Sequence, residues 1–168
     1  MFLKVIAAIM FSLAGAAIGF SKADRLREKL EICRETAMLV EKSAILIRYQ
    51  GLSVYELSAN LKNCSGLSSL SFIKALPENF YEGENFHAQW KSAVNSQTDI
   101  PDEERKLILR FGEILGTSDI EGQLASIESI KQELSALEKR RSDCFIQKGR
   151  LYRSVGTLFG VMTGILVI

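Results

Sequence analysis

Residues 26–51, LREKLEICRETAMLVEKSAILIRYQG, decide the fold. Leu26, Leu30, Cys33, Ala37, Val40, Ala44 and Ile47 recur at steps of four and three, which sets them on one stripe of an α-helix with charged residues around the rest. The alternation of β-branched and polar residues that marks a strand is absent. Gly51 closes the pattern, because glycine readily takes the left-handed conformation in which many helices end. A long helix is therefore predicted over 23–50.

Toward the N-terminus the helical period continues without a break into VIAAIMFSLAGAAIGF, residues 5–20, which carry no charge. About 17 apolar residues lie at the short end of what crosses a bilayer as a helix. Lys22, Arg25, Arg27 and Lys29 follow at once, the flank expected on the cytoplasmic side of a span. The other reading of this end is a signal peptide, with Lys4 before the apolar run and Ala14-Gly15-Ala16 as the cleavage site. It would make the chain an exported helical binding protein held to the membrane by its C-terminus.

The C-terminal run, GTLFGVMTGILVI at residues 156–168, follows Lys148, Arg150 and Arg153. Both basic flanks face the middle of the chain, so the sequence divides into a membrane span over 1–21, a cytoplasmic domain over 22–154 and a second span over 155–168. About 14 residues reach only some 21 Å, short of the ~30 Å hydrocarbon core. Leu151 and Tyr152 must extend the span, with Arg150, Tyr152 and Arg153 as anchors at the membrane edge. Gly15 and Gly19, and likewise Gly156, Gly160 and Gly164, stand four apart and give each span a smooth ridge. Such ridges suit packing of the spans against each other or against other membrane subunits.

Between the ends, Ser53 and Glu56 have capping-box spacing and open a short helix with Val54, Leu57 and Leu61 on one side. Apolar residues persist from Leu67 to Ala75. Pro77 and Gly83 break the pattern, and residues 86–95 form a further short helix holding Trp90. Pro101 starts the next, with Asp102, Glu103 and Glu104 in the first turn and Leu107, Phe111, Ile114 and Leu115 as its apolar face. Gly116 ends it. Ser118 and Glu121 are spaced as a second capping box, and the helix they open, with Ile120, Leu124, Ile127, Leu134 and Leu137 inward, is expected to run on into the second span. The fold class is all-α, a cytoplasmic bundle of about five to six helices with N- and C-terminal transmembrane helices.

The chain of 168 residues has 21 basic and 20 acidic groups, too balanced for a nucleic-acid binder. Cys33, Cys64 and Cys144 lie far apart, with no CxxC pair and no histidine at ligand spacing, so no metal or cofactor is expected. His87, the single histidine, reads as a surface or loop residue. A GxxxxGK[ST] loop, a GxSxG elbow and an HExxH motif are all missing. Asp119 and Glu121 could form a carboxylate pair, but helix capping already accounts for them. The sequence points to an assembly part rather than an enzyme.

Three stretches carry a resemblance: IRYQGLSVYEL at 47–57, FGEILGTSDIEGQLASI at 111–127 and KGRLYRSVGTLFG at 148–160. Together, and over essentially the whole chain, they resemble the stage III sporulation protein AB family of endospore-forming bacteria. That family is similar to half of the inner-membrane platform protein of type II secretion and type IV pilus machines. The resemblance implies a component of the channel complex linking mother cell and forespore, placed in the mother-cell membrane. It also implies a cytosolic secretion-type ATPase and other membrane subunits as partners, besides membrane lipid; self-association is left open. It brings no catalytic residues. The family's recurrent positions map to Arg48, Gly51, Leu115, Gly116, Asp119, Gln123, Gly149, Arg150, Tyr152 and Arg153. Gly51, Gly116 and Asp119 are expected to shape helix ends, while Arg48, Asp119 and Gln123 are the candidates for partner contacts.

Overall fold

The structure, a computed structural model, describes the backbone of residues 2–152, 154–156, 158 and 162; side chains before residue 10 and at 11 and 12 lie outside that description. Five α-helices follow in order: α1 (Phe2–Gln50), α2 (Val54–Lys62), α3 (Phe86–Ser96), α4 (Asp102–Ile114) and α5 (Ile120–Cys144). A 3₁₀ turn spans Ser71–Ala75, where the sequence shows only persistent apolar residues, and a π-helical turn spans Phe145–Gly149. No strand occurs among the described residues. Among them, too, no helix is long and apolar enough to cross a membrane. Most of the second expected span, Gly160 and Gly164 included, and Arg153 before it lie outside the described residues, as do many side chains of the first.

Two compact units form, one from residues 31–138 and one from residues 1–30 with 139–168. The boundaries at 21/22 and 154/155 mark a different property, the change from apolar to charged sequence.

In the 31–138 unit the stripe of α1 goes inward as its spacing requires: Cys33, Val40 and Ile47 are buried, and Ala37 and Ala44 are half-buried. Opposite them lie Ile127, Ile130, Leu134 and Leu137 of α5. Trp90 of α3 fills the centre, with ring centroids of Phe72, Phe86 and Phe111 at 5.5, 5.9 and 5.8 Å. Its indole N–H donates to the Ile108 carbonyl at 3.0 Å, so the buried polar edge is satisfied. Space for the indole exists because residue 112 is glycine; a Cβ there would overlap the ring.

Buried and half-buried polar side chains tie the connections down. Glu35 on α1 accepts from Ser69 N–H (2.7 Å) and from the hydroxyls of Ser68 and Ser69 (3.3 and 3.0 Å), which fixes the turn after α2. Gln97 accepts from Phe72 N–H at 2.9 Å and donates to the Ser69 carbonyl at 2.6 Å. Arg105 donates to the carbonyls of Val94, Gln97 and Ile100, which end α3 and its loop. These are groups that a helix end leaves unpaired.

In the other unit, α1 and the helical residues after the π turn approach backbone to backbone. A Cβ placed on Gly156 would lie 2.8 Å from the Gly15 carbonyl oxygen and 2.9 Å from Gly19 Cα. A Cβ on Gly19 would lie 3.1 Å from Gly156 Cα. The helix opened at Ile120 runs on past Cys144 as expected, through a π turn at Phe145–Gly149 that holds one residue more than an α turn, and is helical again at 150–152. Gly149, at the end of the turn, is buried, while Lys148 is exposed.

Candidate functional site

Two of the stretches that carry the resemblance meet at one end of the 31–138 unit. The first leaves α1 at Gly51, whose φ of 58° is left-handed and whose N–H donates to the Ile47 carbonyl at 3.1 Å. Ser53 then caps α2: its hydroxyl accepts from Glu56 N–H, and the Glu56 carboxylate accepts from Ser53 N–H at 2.8 Å. Those bonds from the Ser53 backbone and hydroxyl hold the Glu56 carboxyl below the usual carboxylate range. The second stretch leaves α4 at Gly116, also left-handed with φ 73°. The two interlock, since Val54 Cγ1 lies 3.0 Å from where a Gly116 Cβ would sit, and Ile120 Cδ1 lies 3.9 Å from that of Gly51. A hollow of about 140 Å³ remains between them, with Ile47, Leu57 and Leu115 at its base and Ser53 and Gln123 at its lip.

Inside the second loop, Gln123 is a clamp. Its side-chain carbonyl accepts from Gly116 N–H at 3.1 Å and its amide donates to the Ser118 carbonyl at 2.7 Å. Asp119 Oδ1 accepts from Gly122 N–H at 3.1 Å and so caps α5. The capping box expected from Ser118 and Glu121 is thereby corrected: the helix begins one residue later, and the Ser118 hydroxyl points to the Asp119 carbonyl at 3.4 Å instead. His87 is not a loop residue. It stands half-buried in the first turn of α3, and its Nε2 lies 2.9 Å from the Leu115 carbonyl, so this nitrogen carries the proton and donates. Sequence reasoning missed this bond, because nothing local to FHAQW announces a partner 28 residues away.

The three candidates for partner contacts separate by role. Gln123 and Asp119 spend side-chain atoms on the loop itself. Arg48 is exposed in the last turn of α1 and lines a second hollow, of about 320 Å³, between α1 and α5. The structure thus brings Asp119 and Gln123 together and sets Arg48 on the neighbouring face.

In the other unit Gly15, Gly19 and Gly156 are brought together, Gly19 fully buried and the other two half-buried. Arg150 and Tyr152 are exposed on the helix opposite α1. Cys33, Cys64 and Cys144 form no disulfide, and no group of three or more His, Cys, Asp or Glu side chains that could hold a metal occurs among the described residues.

The fold of the described residues is all-helical, and its left-handed glycines and capping side chains shape the loops at one end of the 31–138 unit. The chain belongs to the stage III sporulation protein AB family, whose model matches residues 4–168. No curated protein and no solved structure matches it.

Proposed function

We propose that the chain is a membrane platform subunit of a secretion-like channel complex between mother cell and forespore, with residues 22–154 in the mother-cell cytoplasm docking a cytosolic secretion-type ATPase. One observation carries the reading. Two stretches typical of the family converge on a single rim, where Thr117, Ser118, Asp119 and Glu121 are exposed on a loop that Gln123 and Asp119 hold in one shape. A partner reads such a preformed polar edge without having to order it first.

The close approach of Gly15 and Gly19 to Gly156 supports the two apolar ends as an antiparallel pair of spans, because small residues let helix backbones meet in lipid. Leu13, Ile18, Leu151 and Leu158 point away from that contact and are more than half exposed, which suits a surround of acyl chains and other membrane subunits. Retention of the first apolar run fits the same contact, since cleavage after Ala16 would remove Gly15 from it.

The test is capture of the ATPase by the full chain in membrane vesicles. Ser118→Arg and Glu121→Lys alter exposed positions and are expected to reduce capture while Trp90 fluorescence stays unchanged; full capture by both variants would remove this rim as the docking edge. Deleting residues 22–154 is expected to abolish capture. Topology is read from Cys64 and Cys144 with an impermeant maleimide on protoplasts. Labelling only after permeabilisation fits the proposal, and labelling from outside would favour the exported binding protein.

A further inference from the structure

Along the outer face of α1 in the 31–138 unit, Glu41, Ile45 and Arg48 follow one another at steps of four and three, so they share one stripe. Ile45 is 51% exposed and Tyr49, one turn on, 77% exposed. With Ala44 and Leu124 they line the hollow of about 320 Å³ between α1 and α5. Four charges surround that hollow. Two of them, Glu128 and Lys131 on α5, pair with each other at 3.3 Å. The side chains of Glu41 and Arg48 have no ion-pair or hydrogen-bond partner among the described residues. An open apolar strip therefore lies between one unpaired acid and one unpaired base.

We propose that this face pairs with the same face of a second copy of the chain, the two α1 helices lying antiparallel about a twofold axis between Ala44 and Ile45. In a twofold contact, residue i of one copy meets residue j of the other and j meets i. Glu41 and Arg48 are equidistant from that axis, each about 5 Å along the helix. Each acid then faces the other copy's base, at both ends of the contact, with Ile45 covered between them. Parallel pairing in register would set Glu41 against Glu41 and Arg48 against Arg48, so the charges select the antiparallel arrangement. Burial of Ile45 and Tyr49 supplies affinity, and the crossed ion pairs supply orientation. The pairing does not depend on the rim proposed to dock the ATPase, which lies on the neighbouring loops.

The experiment uses the full chain in its membrane, with Cys64→Ser and Cys144→Ser to silence the accessible thiols and Ile45→Cys to report the axis; Cys33 is buried. Mild oxidation is expected to give a cross-linked dimer. Glu41→Arg alone and Arg48→Glu alone are each expected to lower its yield about tenfold, because like charges then meet across the axis. The double reversal, Glu41→Arg with Arg48→Glu, restores it, as only a self-complementary contact can. All three positions are exposed, and Trp90 fluorescence checks that each variant is folded. Absence of a dimer in the Ile45→Cys chain, failure of the double reversal to restore it, or cross-linking of position 45 to a different protein would each overturn the proposal.

Discussion

Ser53 and Glu56 show how much of this protein is settled by single side chains at helix ends. Ser53→Ala removes the hydroxyl that accepts from Glu56 N–H and is expected to lower stability by about 1 kcal/mol, read from the denaturation midpoint followed by Trp90 fluorescence. Glu56 adds a pH dependence with a definite sign. Its carboxyl titrates lower in the folded chain than in the unfolded one, so its contribution is fully present above the unfolded value, near 4.5, and is lost as pH falls through the folded value. The gap in urea midpoint between wild type and Glu56→Ala is therefore expected at neutral pH and to close in acid; a gap that persists unchanged well below pH 4 would deny the linkage. Gly112 acts by what it lacks. Gly112→Ala pushes a methyl group into the Trp90 indole and is expected to cost about 1–3 kcal/mol with a shift in tryptophan emission.

At the scale of elements, the turns were more legible than the contacts between them. Gly51, Gly116, Ser53 and Pro101 announce where helices stop and start, because each answers a local demand of the backbone, and the stripe from Leu30 to Ile47 announces which side of α1 is buried. What stayed hidden depends on residues distant in sequence. Glu35 reads as one more charge on a solvated helix, yet it is buried against the turn at Ser68 and Ser69. Gln123 reads as a surface residue with a partner outside the chain, yet it bridges Gly116 and Ser118. The π turn was illegible for a different reason: a single extra residue inside a continuous helix leaves no cap or breaker pair to mark it between Phe145 and Gly149. Gln123→Ala is expected to cost about 1 kcal/mol and to raise proteolysis at the loop around Thr117, whereas Gln123→Glu keeps the acceptor for Gly116 N–H and loses only the bond to Ser118. Equal sensitivity of the two variants would show that the clamp does not work through these two bonds.

For the molecule as a whole, the division into two units makes a separable prediction. Trp90 is the single tryptophan and reports the 31–138 unit, while Cys144 lies in the other. Gly156→Leu puts a branched side chain where the Gly15 carbonyl and Gly19 backbone already stand, so it is expected to raise the rate of maleimide reaction at Cys144 and to leave the Trp90 unfolding midpoint unchanged. Loss of both together would mean that the units unfold as one. The same glycine contact also has a consequence for biosynthesis. Gly19 leaves the ribosome long before Gly156 exists, and at synthesis rates of about 5–20 residues per second the delay is roughly 7–27 s. During that interval the intervening residues can fold while the first segment has no mate. The glycine contact is thus among the last in the chain that can close, after the 31–138 unit between its two halves has had time to fold.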